Sequence, residues 1–248
     1  ILNRKQTVIL GVEGCGKTSV LSSFFNREYR MKKLEDNILI TSVTEFPSDL
    51  DSDAIYNHFT DMVINAVRLL LQCGKKAEMD AILEQCEGIR KTSESAETCF
   101  EGVVSYIHTD CGYRVVFVVD NFETFTSSAT VTMKHHENMR KLLKHSQYIV
   151  ATNYDLTEDS LPDDVSGSLY LMNFAGNEVE LGGWSEAETR EFLEEKLKGN
   201  KIAFSDAVIR RVYELSGGIP FLVGVTADYI YDHIENGQTV DTFSAQEL

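Results

Sequence analysis

Residues 11–18 read Gly11-Val12-Glu13-Gly14-Cys15-Gly16-Lys17-Thr18, which satisfies G-x-x-x-x-G-K-[ST] at every defined position. Each residue type in that pattern has a chemical task. The glycines let the main chain wrap a phosphate with its N–H groups pointing inward, at the positive end of a following helix. Lys17 supplies a compact positive charge for β- and γ-phosphates. The Thr18 hydroxyl is a hard oxygen donor for magnesium. Ser19 follows in the same turn. Cys15 fills a variable position; a small side chain is the simpler reading, although a thiolate there would be stabilised by the helix start.

Such a loop needs a second carboxylate that holds the metal through water from a neighbouring strand. Val115-Val116-Phe117-Val118-Val119-Asp120 provides it, an apolar run that ends in an acid. By the binding rule for open α/β sheets, Asp120 emerges at the carboxyl edge, where the glycine loop lies. Metal ligation is therefore assigned to Thr18 and Asp120. Hydrolysis also needs a group that orients the attacking water. Asn121 directly follows Asp120 and cannot act as a base, which leaves Glu123 as the nearest candidate, with a surface or capping role as its competitor.

The elements that must position these groups are legible from periodicity. Thr7–Gly11 is short, β-branched and followed by glycines, the pattern of a buried strand entering a turn. Helical spacing follows from Thr18 to about Tyr29. Asn37–Val43 reads as a second strand, ended by a loop at Phe46-Pro47. Ser52 or Asp53 can cap a helix to about Cys73 with Ile55, Phe59, Val63, Val67 and Leu70 on one face. Residues 76–111 read as two helices separated by the polar stretch Gly88–Ser95. Arg114–Asp120 lacks polar alternation, as expected of a central parallel strand covered on both faces. A helix over Val131–His145, a strand over Gln147–Asn153 and another at Glu178–Leu181 complete the sheet.

From Trp184 onward only helices are expected. Ser185 with Glu188 forms a capping-box pattern for a helix that runs to Lys198 and stops at Gly199. Ser205 starts the next helix, which ends at Gly217-Gly218. Pro220 opens a third, running to about Ile234. The boundary falls near Gly182-Gly183, giving 1–183 as an α/β nucleotide-binding domain and 184–248 as a small helical lid. Trp184 is expected in the core at that junction.

Composition narrows the function classes. The chain has 248 residues, 39 Asp and Glu against 23 Lys and Arg, and a formal charge of −16. Bulk electrostatics thus oppose non-specific binding to nucleic acid or an anionic membrane, and Lys134, Arg140, Lys141 and Lys144 read as a solvated helix face. No apolar run approaches the roughly 18–20 residues of a membrane span. Five cysteines (Cys15, Cys73, Cys86, Cys99, Cys111) without C-x-x-C spacing fit a reduced cytoplasmic protein. His135-His136 with Cys99, Cys111 or His145 match no common zinc spacing. Ile1 in place of an initiator methionine reads as a piece of a longer or processed chain.

With the loop and Asp120 in place, three further segments make the sequence resemble the AAA+ and STAND class of P-loop ATPases, especially the STAND-like ATPases of bacterial and archaeal signalling and defence. Ile149-Val150-Ala151-Thr152-Asn153 is similar to the strand that ends in the family's sensor residue, which puts Asn153 at the γ-phosphate or the attacking water. Residues 171–188 resemble the exit from the sheet into the lid. Leu215-Ser216-Gly217-Gly218-Ile219-Pro220-Phe221-Leu222 resembles the glycine–x–proline segment, and the resemblance places Pro220 near the nucleotide base.

The resemblance implies a P-loop NTPase fold, α/β with a central, mostly parallel sheet flanked by helices and followed by an all-helical lid. It also implies ATP as ligand with Mg2+, ADP as product, and a conformational or oligomerisation switch reported by the lid. Flanking effector and sensor domains or self-association are the implied partners. Nucleic acid is not expected as one. The absence of an N-K-x-D base-recognition motif agrees with ATP over GTP. Asn121, where many relatives carry an acid, implies slow turnover. No arginine finger is assignable, Arg114 and Arg140 being the conceivable positions. Three competitors remain. One is a DNA-acting AAA+ initiator or loader. Another is a small-acceptor kinase, disfavoured by the acidic lid. The third is a module that binds nucleotide without turnover.

Overall fold

The computed structural model describes residues 5–35, 37–41, 44–46, 51–72, 76–156, 167–200 and 202–235. It divides into two compact units, one made of Ile1–Leu10 with Lys17–Glu180 and one of Gly11–Gly16 with Leu181–Leu248.

The first unit is built on a sheet in the order β2-β4-β5-β1-β6, with strands β1 (Thr7–Leu10), β2 (Ile38–Ile40), β4 (Arg114–Asp120), β5 (Ser146–Thr152) and β6 (Glu178–Glu180). A further short strand, β3 (Thr44–Glu45), also pairs with β4, and every pairing is parallel. Val115 to Asp120 are all buried, and so is the whole of β5. The unbroken apolar run of β4 is thus explained by a strand with neighbours on both sides and helices over its faces. By contrast β6 is exposed throughout, as an edge strand tolerates, so its Glu-Val-Glu pattern carries little strand signal.

Helices α3 (Ser52–Gln72), α4 (Lys76–Thr92) and α5 (Ala96–Thr109) form the largest packed group. Ile55, Phe59, Val63, Val67 and Leu70 are buried along one side of α3. Phe59 lies at the centre of an aromatic core, its ring 5.5 Å from Phe117 and 5.7 Å from Phe100. Burying a side chain of this size contributes about 2–3 kcal/mol. The N-terminal cap of α3 is Asp51, whose Oδ1 accepts from Ala54 N–H at 2.8 Å, one residue before the expected Ser52. Ser52 is instead bonded to the His135 ring at 2.9 Å.

Several expected boundaries move for identifiable reasons. The helix expected over 18–29 is two, α1 (Lys17–Ser23) and α2 (Arg27–Glu35). The side chain of Asn26 accepts from Glu28 N–H at 2.8 Å, capping the second and ending the first. Conversely, α4 runs straight through Gly88, and only Ser93–Ser95 separate it from α5. Ser95 and Thr98 form a reciprocal capping box there, at 3.1 Å in each direction. The strand expected over 37–43 begins at Ile38, because Asn37 adopts a left-handed φ of 60°. Ser42, Val43, Pro47 and Cys73 lie outside the described residues.

Helix α7 (Met133–Leu142) is shorter than its expected span and follows a four-residue helix, α6 (Glu123–Thr126), that periodicity does not reveal. The His135-His136 pair serves packing rather than convergence. His135 Nδ1 accepts from Thr132 N–H at 3.0 Å, which directs its Nε2–H to Ser52, and His136 bonds Ser168 at 2.8 Å. Burial first, and the Lys134 charge second, hold the His135 imidazole below its ordinary pKa. Arg114 sits at the amino end of β4 and donates to the Ser146 and Lys144 carbonyls. That is the opposite end of a seven-residue strand from Asp120, roughly 20 Å away at ~3.3 Å per residue, so Arg114 braces the strand start.

The second unit packs α8 (Glu186–Leu197), α9 (Asp206–Ser216) and α10 (Pro220–Glu235) around Leu193, Ile209, Val212, Val223 and Ile230. Ser185 accepts from Glu188 N–H at 3.2 Å, and Glu188 accepts back from Ser185 N–H at 2.8 Å. Ser205 caps α9, and Gly217 closes it at a left-handed φ of 60°. Trp184 is half-buried against this core, its ring 4.9 Å from Phe192.

Gly218 gives a stability prediction. Its φ is +74°, its carbonyl accepts from Trp184 N–H at 2.7 Å, and an added Cβ would run into the Trp184 carbonyl oxygen. Gly199 has a similar φ of +83° but open space around it. Gly199→Ala should therefore cost only the left-handed penalty, about 1–2 kcal/mol. Gly218→Ala should add about 1–3 kcal/mol of overpacking to that penalty. Denaturant titration of both variants measures the difference; equal losses would mean that the Trp184–Gly218 approach relaxes freely.

Candidate functional site

The carboxyl edge of the sheet gathers five of the residues chosen for chemistry. In register, Val119 of β4 pairs with Val150 of β5, and Thr152 of β5 pairs with Leu10 of β1. The chain therefore leaves β1, β4 and β5 at one edge, towards Lys17, Asn121 and Asn153 respectively. β5 stands between the other two, which puts Asn153 between Lys17 and the β4 exit.

Two hydrogen-bonded groupings result. In the first, Thr18 Oγ1–H donates to Asp120 Oδ2. Asp120 is buried, and its other oxygen accepts from Asn121 N–H at 3.0 Å. In the second, Lys17 Nζ donates to Asn153 Oδ1 at 2.7 Å, and Asn153 Nδ2 donates to Glu123 Oε1 at 2.5 Å. The amide orientation is forced, because an ammonium only donates and a carboxylate only accepts. Lys17 is 7% exposed. Glu123 Oε2 is buried with no hydrogen-bond partner among the described residues.

Glu123 reaches this position through a local device. Asn121 has a φ of +50°, a left-handed conformation that asparagine tolerates better than most residues. It turns the chain off β4 directly into α6, whose first residue is Glu123. The Tyr154 hydroxyl holds α6 against the end of β5, bonding Thr126 Oγ1 at 2.8 Å and donating to the Glu123 carbonyl at 3.4 Å. Neither Thr126 nor Tyr154 stands in a recognisable motif, so only the folded chain shows their part.

The loop 11–16 belongs to the second unit. Gly14 and Gly16 take φ of +78° and +100°, values that leave glycine as the low-strain choice. An added Cβ on Gly11 would collide with the Cys15 sulfur, and Cys15 is buried. This is a packing role for the thiol inside the loop. Gly14 O accepts from Phe221 N–H at 3.1 Å, which joins the loop to the first turn of α10, opened by Pro220. Val12 and Glu13 are exposed, as are Thr18 and Ser19 at the start of α1.

No protein-family model matches the chain, and no curated protein matches it. Solved structures do. A Walker-type ATPase of Pyrococcus abyssi is 15% identical with a TM-score of 0.60, over 94% of this chain and 63% of that one. The fold is that of the P-loop NTPases. The ORC2 protein of Aeropyrum pernix, solved in ADPNP–ADP complexes, is 10% identical with a TM-score of 0.58, over 98% of this chain and 60% of that one. The ORC1 protein of the same organism, solved in complex with DNA, is 13% identical with a TM-score of 0.53, over 95% of this chain and 56% of that one. At such identities the likeness is one of fold. The chain spans about three-fifths of the length of these proteins.

Among the described residues no helix is long and apolar enough to cross a membrane, and no three metal-ligating side chains of His, Cys, Asp or Glu converge. Thr18 and Asp120 nonetheless offer adjacent hard oxygens. That donor set suits a magnesium ion, which keeps most of its waters and takes few protein ligands.

Proposed function

We propose that this chain binds ATP with magnesium at residues 11–18 and hydrolyses it slowly as the nucleotide module of a larger switch protein. The observation that carries the reading is the chain of contacts from Lys17 through Asn153 to Glu123, beside the Thr18–Asp120 pair. An unpartnered carboxylate oxygen, a cation and a metal-type donor pair at one sheet edge are the parts phosphoryl transfer to water requires. The loop's glycines supply N–H groups to the phosphates, and Lys17 exchanges an amide oxygen for a charged phosphate oxygen. Pro220 and the start of α10, joined to Gly14, would flank the base.

In the step itself, Glu123 Oε2 takes a proton from the attacking water as its oxygen bonds the γ-phosphorus. The bond from that phosphorus to the β–γ bridging oxygen breaks, and ADP and phosphate leave. Asn153 holds the carboxylate in place and orients the water. Thr18 and Asp120 would hold magnesium, which would supply neutralisation of the charge on the phosphate oxygens. With Asn121 in place of an acid, a single carboxylate three residues beyond Asp120 carries the base role, which favours slow turnover.

For the larger protein, a DNA-acting ATPase of initiator or loader type is better supported than a STAND-like signalling switch. The support is the shared fold with the ORC proteins, one solved with DNA and one with adenine nucleotides. Net acidity then implies that DNA contact is local rather than spread over the surface.

Asp120→Asn tests the metal assignment. It preserves the shape while removing the charge, its single oxygen accepting from one of the two donors that Asp120 serves, Thr18 Oγ1–H and Asn121 N–H. ATP affinity in magnesium should fall by about ten-fold or more, the value of one charge-assisted interaction, with little change in EDTA. Equal loss in both conditions would contradict the role in metal binding.

A further inference from the structure

In a chain with 16 more acids than bases, residues 27–33 are locally basic, holding Arg27, Arg30, Lys32 and Lys33 against Glu28, with Glu35 closing the same helix. These four cations lie on α2 and come with three aromatic residues, Phe24, Phe25 and Tyr29. The Arg30 guanidinium lies over the Phe25 ring at 5.7 Å, and Lys33 Nζ over the Tyr29 ring at 5.7 Å. Phe24 and Tyr29 are themselves 5.9 Å apart. The rings are half-buried, while Arg27 and Lys32 are exposed.

The surface is fixed in place. Asn26 caps α2, Arg30 Nη2 donates to the Ile40 carbonyl at 3.0 Å, and Met31 packs against the core of the first unit. Cation–π pairs at exposed positions contribute only about 0.5–1 kcal/mol each.

We propose that α2 and the preceding Phe24-Phe25 form a contact surface for single-stranded nucleic acid. Charge complementarity selects a polyanion. Rings interleaved with the cations select one whose bases are unpaired and can stack, since bases inside a duplex offer no free face. An anionic lipid surface fits less well, because the helix's methionine packs inward and its exposed cations are what it turns outward. The inference rests on the DNA-acting reading above and names the surface it would use.

The test is fluorescence anisotropy with a labelled oligothymidylate of about 20 nucleotides, long enough to exceed one stacking site. The matching duplex and phosphatidylserine vesicles are run alongside. The expected result is preference for the single strand, with affinity falling roughly 20-fold between about 50 and about 200 mM salt if three phosphates are contacted. The combined Arg27→Glu, Lys32→Glu, Lys33→Glu variant should lose at least about ten-fold in affinity with a shallower salt slope. Its ATP affinity should stay unchanged, which also shows that it is folded. Tyr29→Leu should lose about five- to a hundred-fold without changing the salt slope, as loss of stacking predicts.

Oligonucleotide binding that the charge reversal leaves intact would overturn this surface while the DNA-acting reading stood. Absence of binding to either strand form at low salt would overturn both. Preference for duplex or for vesicles would overturn the single-strand assignment.

Discussion

Glu123→Gln is expected to lower ATP turnover by about 10²–10⁴-fold, the usual contribution of a positioned general base, while leaving ATP affinity within about two-fold, since no charge-assisted bond to the nucleotide is lost. The substitution suits the geometry. A glutamine oxygen can still accept from Asn153 Nδ2, so the contact at 2.5 Å has a replacement. What is lost is the anionic Oε2, the one oxygen of the side chain with no hydrogen-bond partner among the described residues. Turnover by single-turnover phosphate release and affinity by equilibrium titration separate the two effects. If turnover survives, Glu123 is a structural carboxylate that anchors Asn153, and water activation must come from elsewhere.

Lys17→Ala should weaken ATP binding by about ten- to over a hundred-fold, since a charge-assisted hydrogen bond contributes roughly 1.5–3 kcal/mol. Folding should be much less affected. Lys17 is 7% exposed, so its removal takes a charge out of a buried position while it gives up the bond to Asn153 Oδ1 at 2.7 Å. A thermal melt of the variant close to that of the wild type, with ATP affinity much reduced, is the expected pair of results. Affinity equal to the wild type would exclude residues 11–18 as the phosphate grip.

How much of this was readable beforehand depended on whether the signal was local. The β4 run from Val115 to Asp120 announced a central strand because burial on both faces removes polar alternation, and the glycine loop after β1 carried its own spacing. Both are properties of a few consecutive residues. The break between α1 and α2 was hidden because apolar spacing continues across it; what decides is the Asn26 side chain competing for backbone N–H groups. The passage of α4 through Gly88 was hidden for the opposite reason, tertiary packing against α3 and α5 outweighing a penalty of about 1 kcal/mol.

At the site, types and spacing singled out Lys17, Thr18, Asp120 and Glu123 as candidates, and the family resemblance added Asn153, but neither shows how they meet. That Asn153 lies between a cation and a carboxylate follows from β5 lying between β1 and β4, a fact of topology that no local pattern holds. The left-handed Asn121 is a similar case. In the sequence it reads as a missing acid, whereas in the fold it is the turn that delivers Glu123. The local basic charge of α2 does not show in the net charge of −16, which averages over the whole chain.

The most direct test of the central claim is calorimetric titration of the wild-type chain with ATP, in magnesium and again in EDTA. One site per chain, with affinity clearly weaker in EDTA, is the predicted result. No binding, or binding indifferent to magnesium, would contradict a magnesium–nucleotide site built from residues 11–18 and Asp120.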